Sequence, residues 1–462
     1  MLHFNKNATA FRFAMPDTKL TVSGICALFF AGCAYAFRMV FGAISFAQRL
    51  AGLFQAISIT LLVLALLAVL SAVAAHFIMP DRVKIKYMVR KGLYCFSYGN
   101  PLRLKDGERL PEIKCCDKGS GVFELTIKAV SCTVEDIQNI SSSISSSLNR
   151  KGFNRYAVVQ TNTDIAFNDV TFRIEDVTVD RSLTFDDVNE MKPKECTKLV
   201  VQKDTSIDLT TSGSILTAGK TRSGKTTGII SLLLQALLWG RDDFESEITI
   251  IDPKQAELSR LPYVVTLDEN GEATEILAAM KRFAETIVKR QKILNDLSEQ
   301  SGDAVKWWNA GMHVSFLFID EYVACRTMFP KKPGKDKPDY CLAAFDGLLR
   351  RIVTMGASAG CYAIISIAEA SVDDSGGGLP AMLRSAMTTK ILFKPTLNEG
   401  RLIWDSDKLK DFNTERVYNA GDAWFSSTDG VHDNVSYVHF PHMKFKVYAE
   451  LGRLLKAYYD KE

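Results

Sequence analysis

The chain has almost no net charge and few cysteines. Its 462 residues carry 56 Lys and Arg against 53 Asp and Glu, a formal charge of +3, so there is no polybasic sleeve for nucleic acid. Ten cysteines are too sparse to staple a fold, and none stands in a Cys-x-x-Cys pair. That excludes a disulfide scaffold and gives no support to zinc or dithiol redox chemistry, so all ten are read as reduced thiols. Composition excludes disorder and collagen-like repeats, because 47% of residues are hydrophobic and 24% are charged. The mean hydropathy is nevertheless +0.02. A chain this charged reaches zero only if its apolar residues are concentrated, and at roughly 150 residues per domain the length allows about three units.

The concentration lies at the start. Leu20 to Phe37 contains no charged residue, and Leu50 to Met79 is interrupted only by His76. Each is long enough to cross a hydrocarbon core of ~30 Å. A polar stretch precedes the first run and a second run follows directly, which favours two transmembrane helices, at about 20–37 and 51–79, over a cleaved signal. Lys6, Arg12 and Lys19 precede the first, and Arg82, Lys84, Lys86, Arg90 and Lys91 crowd the exit of the second. Arg38 and Arg49 flank an apolar connecting segment, expected as a short loop lying in the opposite interface. The excess of bases places both ends on the cytoplasmic side, as in a multi-pass protein of the cell membrane.

Residues 81–195 read as a small α+β domain. GLYCFSY (92–98), PEIKCC, VFELTIKAV, YAVVQT and DVTFRIEDV have strand composition, while Thr133 to Asn149 opens with a Thr-x-x-Asp cap and repeats Ile137, Ile140, Ile144 and Leu148 at helical spacing. No chemical constellation appears there.

Chemistry begins after Ser214. The apolar SILTA leads into GKTRSGKT at 219–226 and then into a periodic apolar stretch, which is strand, loop and helix around GxxxxGK[ST]. Gly219, Lys220, Thr221, Arg222, Ser223 and Gly224 form the loop whose backbone N–H groups close around phosphates at a helix N-terminus; Thr227 follows it. Lys225 is placed for the β and γ phosphates of ATP, and Thr226 for Mg²⁺. VSFLFIDE, at 314–321, has the Walker B form. There Asp320 would hold the metal and Glu321 would polarise the hydrolytic water. Asp252 ends another apolar run, EITIID, and is either a nucleotide-site carboxylate or a helix cap. CYAIISIA at 361–368 completes a parallel α/β sheet covered on both faces.

GKTRSGKT, IIDPKQAEL, FLFIDEY, RRIVTMGASAGCYAIISIAEASV and the late GDAWF together resemble the motor domain of FtsK/SpoIIIE-type DNA translocases, over roughly residues 195 to 445. With two anchor helices and a short chain, the pattern is most similar to the small coupling proteins of Gram-positive conjugative elements. The resemblance implies a RecA-like P-loop ATPase, residues 196–462, that forms a homo-hexamer. Such a ring threads DNA and meets a relaxase and conjugation-channel proteins. It also implies that Arg350, Arg351 or Arg384 reaches a neighbouring subunit's γ-phosphate. Where the family ends its third strand with Ala-Thr-Gln-Arg-Pro, this chain has Ile367-Ala368-Glu369-Ala370, so Ala368 replaces the polar sensor. Lys331, Lys332, Lys335 and Lys337 lie in a Pro-rich insertion that either faces DNA or is a solvated loop. Septal chromosome translocation, protein secretion and a non-hydrolysing scaffold stay open as alternatives.

Overall fold

Both uncharged runs fold as long helices, Pro16–Gly42 and Gln48–Ile78. The structure is a computed structural model and describes residues 4, 10–44, 48–94, 100–149, 155–368, 378–404, 406–409, 412 and 419–460. Its contacts divide the chain into two compact units, Met1–Val179 and Asp180–Glu462.

In the first unit the two helices have 27 and 31 residues. At about 1.5 Å rise per residue each exceeds the apolar thickness of a bilayer. They pack on each other through small side chains: Gly24, Ala31 and Ala34 of one are buried, as are Ser58, Ala65 and Ala72 of the other. Small residues let backbones approach closely where there is no hydrophobic drive between helices, and the Ser58 hydroxyl donates across the pair to the Ala31 carbonyl at 3.0 Å. Large side chains such as Phe29, Phe30, Leu66 and Leu70 point outward. The expected interfacial loop is shorter than the flanking arginines suggested. Nothing in residues 38–42 breaks a helix, so the first helix runs past Arg38 to Gly42 and the second already contains Arg49.

Pro80 separates the second helix from a third, Asp81–Tyr94. The strand expected over 92–98 is not formed at its start. Ile85, Val89 and Leu93 continue a helical period and are all buried, so Gly92, Leu93 and Tyr94 finish that helix; residues 95–98 lie outside the described ones. The other strands form a four-stranded antiparallel sheet in the order Ile113–Gly119, Val122–Lys128, Asp169–Asp176, Tyr156–Thr163. Thr133 and Asp136 make the reciprocal cap of a short helix, Val134–Gln138, which breaks before Ser141–Leu148. Ile137, Ile140, Ile144 and Leu148 are buried against the sheet core.

The second unit is built on an eight-stranded sheet. Its order is Val264–Val265, Ile248–Ile251, Ser315–Ile319, Cys361–Ile367, Ile215–Gly219, Thr389–Phe393, Asp422–Ser426, Ser436–His439. The first six run parallel and the last two are added antiparallel. Successive side chains on a strand face opposite ways. Accordingly Phe316 and Phe318 pack with helices Lys225–Leu237 and Val447–Tyr459, whereas Leu317 and Ile319 pack with Thr274–Ser301 and Leu342–Met355. Residues 180–195 belong to this unit by their contacts. Thr184–Phe185 pairs with His442–Met443, and Val188 and Met191 enter the core beside Ile230. The result is a mostly parallel α/β P-loop fold whose strand ends point at one site.

Candidate nucleotide site

The strand Ile215–Gly219 delivers the chain into the loop 220–224, and helix Lys225–Leu237 leaves it. The loop needs two glycines for distinct reasons. A Cβ on Gly219 would stand 2.8 Å from Phe393 Cβ. Gly224 has φ +94°, a left-handed backbone that non-glycine residues resist, and a Cβ there would meet the Gly421 amide nitrogen at 2.5 Å. Gly421 in turn donates its N–H to the Ser223 carbonyl at 3.1 Å. The GDAWF segment therefore braces the phosphate loop from behind. Lys220, Thr221, Arg222 and Thr227 are exposed, Thr226 is half-buried, and the buried Ser223 hydroxyl has no partner among the described residues.

Lys225 is 7% exposed and turns inward. Its ammonium donates to the Ile367 carbonyl at 3.0 Å and lies 3.5 Å from Glu321 Oε1. Burial pulls its pKa below the ordinary lysine value, while the charges of Glu321 and Asp320 push it back up. Asp320 and Glu321 leave the strand Ser315–Ile319 at the same sheet end. Burial raises the Asp320 carboxyl above the usual carboxylate range, with Lys225 opposing that and Glu321 adding to it. Its Oδ1 is buried and has no hydrogen-bond partner among the described residues. Leaving a buried carboxylate oxygen unsatisfied is costly. A hydrated cation would supply the missing partner, so the Asp320 carboxylate is suited to a Mg²⁺ ion.

Glu321 adopts φ 53°, ψ 61°, an unusual conformation for a residue with a side chain, and it begins the helix Tyr322–Thr327. That turn aims its carboxylate between two ammonium groups, because Lys254 also lies 3.5 Å from Oε1. Lys254 comes from the Asp-Pro-Lys loop after strand Ile248–Ile251. Asp252 builds that loop rather than facing outward. It is 1% exposed; Oδ1 accepts from the Lys254 N–H at 3.1 Å, and Oδ2 accepts from Ala256 and Ser259 at 2.9 and 3.1 Å. Replacing Asp252 with alanine strands three N–H groups, an expected loss of about 3 kcal/mol by urea unfolding, with Asp252→Asn costing less. Unchanged stability with lost nucleotide binding would give Asp252 a ligand role instead.

The arginines are elsewhere. Arg350 and Arg351 are exposed on helix Leu342–Met355, with no side-chain hydrogen bond or ion pair among the described residues. Arg384 donates to the Leu402 carbonyl. Among the described residues, none of the three has a hydrogen bond or ion pair to Lys225, Asp320 or Glu321 within the protomer. Of the basic insertion, Lys337 pairs with Glu272 and lies over the Tyr340 ring, while Lys331, Lys332 and Lys335 are exposed. Ala368 is exposed; Glu369 and Ala370 lie outside the described residues. Sequence reasoning missed the Ile367 carbonyl and the Gly421 amide, because backbone groups leave no residue-type signature.

Known proteins were compared with this geometry in hand. No family model matches the chain. An FtsK domain-containing protein of Bacillus subtilis strain 168, YdcQ, is 24% identical over 152 residues, which are 33% of this chain. The chain is FtsK-like. That match spans 28% of YdcQ, so this FtsK-like chain corresponds to little more than a quarter of its relative's length. Among solved structures, the conjugation coupling protein TcpA of plasmid pCW3, in a monomeric form with ATPγS, aligns with 81% of the chain and 99% of its own. The identity is 15% and the TM-score 0.46. ATPases 2 and 3 of EssC from Geobacillus thermodenitrificans align with 61% of the chain and 53% of their own, at 17% identity and TM-score 0.39.

Proposed function

We propose that this FtsK-like chain is a membrane-anchored, ATP-driven DNA translocase that serves as a coupling protein in conjugative transfer. The observation that carries the ATP-driven part is the convergence of the phosphate loop, the unsatisfied Asp320 oxygen and the doubly paired Glu321 at one end of a parallel sheet. DNA as the cargo rests on the FtsK-type motif set, and the anchor rests on the two long apolar helices. Thr226 and Asp320 would hold Mg²⁺, which neutralises β- and γ-phosphate oxygens when bound. Lys225 binds the same oxygens by exchanging its Ile367 and Glu321 partners for phosphate. Glu321 is then free of one lysine and accepts the proton of the attacking water. Arg350 and Arg351, unpaired and outward on their helix, suit completion of a neighbouring subunit's site in a hexamer, a head-to-tail arrangement that closes as a ring. The orientation with both termini cytoplasmic follows from the flanking bases.

ATP turnover measured without DNA, with single-stranded and with double-stranded DNA tests the reading. Stimulation of several-fold by one form identifies the cargo. Turnover indifferent to both forms would move protein secretion or scaffolding ahead.

A further inference from the structure

A cavity of about 810 Å³ in the first unit takes no part in nucleotide chemistry. It lies where the helix Pro16–Gly42 begins and Gln48–Ile78 stops, since Asp17, Thr18, His76 and Met79 line it together with one face of helix Asp81–Tyr94. Its character is split. Met15, Met79 and Met88 make apolar wall, and Lys84 and Lys91 stand two helical turns apart on one face beside Arg155. The two carboxylates in the lining are already engaged. Asp81 accepts from Arg155 at 2.6 Å and from the Tyr156 hydroxyl at 2.8 Å, and Asp17 lies 3.1 Å from His76 Nδ1 and accepts from the Thr18 N–H at 2.7 Å. Arg155 is also held by Asp176 at 3.2 Å. Lys84 reaches Asp81 only at 3.4 Å, and Lys91 has no ion pair among the described residues. Between the lining residues His76 and Met79, Phe77 and Ile78 are 81% and 77% exposed.

We propose that this cavity binds one anionic phospholipid by its phosphodiester head group, with Lys84 and Lys91 as the anion contacts and the methionines against the first acyl carbons. The inference rests on the two helices being a membrane anchor. A soluble anion needs the ammonium groups but not an apolar wall whose His76 and Met79 bracket the exposed Phe77 and Ile78. An anionic lipid needs both, and basic pockets just inside a membrane are suited to such head groups. Basic stems also lie along apolar surface while their charged ends reach the polar layer.

The test uses the full chain. Carbonate washing of membranes comes first, because release of the protein into the wash would overturn the anchor itself. Retained protein is then purified in neutral detergent and titrated with dihexanoyl phosphatidylglycerol, dihexanoyl phosphatidylcholine, glycerol 3-phosphate and inorganic phosphate. The wild type is expected to prefer phosphatidylglycerol to phosphatidylcholine by about tenfold or more, from ~1 kcal/mol per lysine near the head group. Lys84→Gln with Lys91→Gln, which keeps the stems, should abolish that preference, and Lys84→Arg with Lys91→Arg should restore it. Arg82→Gln with Lys86→Gln, on the same helix but outside the lining, should leave it intact. Equal loss in both glutamine pairs would reduce the effect to diffuse surface attraction and overturn the site. Equal binding of glycerol 3-phosphate or inorganic phosphate would overturn the lipid as its occupant.

Discussion

Lys225→Ala is expected to lower ATP turnover by about 10³-fold while leaving the second unit folded. The loss follows from geometry. Lys225 is a buried ammonium at the helix start that closes the phosphate loop, and a fixed cation facing charge that develops in the transition state is worth about 10² to 10³ even for a single lost donor. Stability should move the other way or stay level. The ammonium is held under burial with a carbonyl and a shared carboxylate as partners, and its lowered pKa says that the site tolerates the charge at a cost. Removing it leaves Glu321 with Lys254 still 3.5 Å away. Steady-state ATPase measurements and a thermal melt on the same preparation check both halves. A large fall in melting temperature would mean that Lys225 holds the strand ends together structurally, and turnover at the wild-type level would exclude hydrolysis at this loop.

Glu321→Gln is the second large effect. Loss of a general base lowers the chemical step by about 10² to 10⁴. Nucleotide affinity should rise at the same time by several-fold, because the substitution removes a carboxylate in contact with both Lys225 and Lys254 and leaves two cations facing an incoming triphosphate. The signature is therefore opposed: tighter binding in equilibrium titration with a slowed single turnover. Weakened binding with the rate intact would place the base elsewhere. Glutamine preserves the side-chain length, so the left-handed turn at this position is kept, and the comparison reports on charge rather than on backbone relaxation.

Much of this site was legible from residue type and spacing. GxxxxGKT between an apolar run and a periodic helix has few other meanings, and FLFIDE ends a strand buried on both faces. The two anchor helices were equally plain from their missing charges. What local pattern could not carry was partner choice. Asp252 had two readings because a carboxylate at a strand end looks the same whether it faces a ligand or three backbone N–H groups, and only the turn of Asp252-Pro253-Lys254 decides. Gly92 to Tyr94 had strand composition, but the burial of Ile85, Val89 and Leu93 along one helix face outweighed propensity. The order of the sheet was hidden too. The phosphate-loop strand is first of the six parallel strands in sequence yet sits between Cys361–Ile367 and Thr389–Phe393, pairings contributed by chain more than 140 residues later.

The helix Val447–Tyr459 has a bearing on how the protein is made. The Tyr459 hydroxyl lies 3.0 Å from the Ile248 N–H and 3.1 Å from its carbonyl, groups that the short strand Val264–Val265 does not reach, and Tyr458 closes on Ser246 nearby. An early strand of the second unit thus waits for a side chain 211 residues further along the chain. Synthesis runs from the two long apolar helices towards the second unit, so the phosphate loop emerges more than 200 residues before the helix that completes its sheet. Until then the strand edge at Ile248 is bare, and it is the segment that a chaperone would need to shield during synthesis.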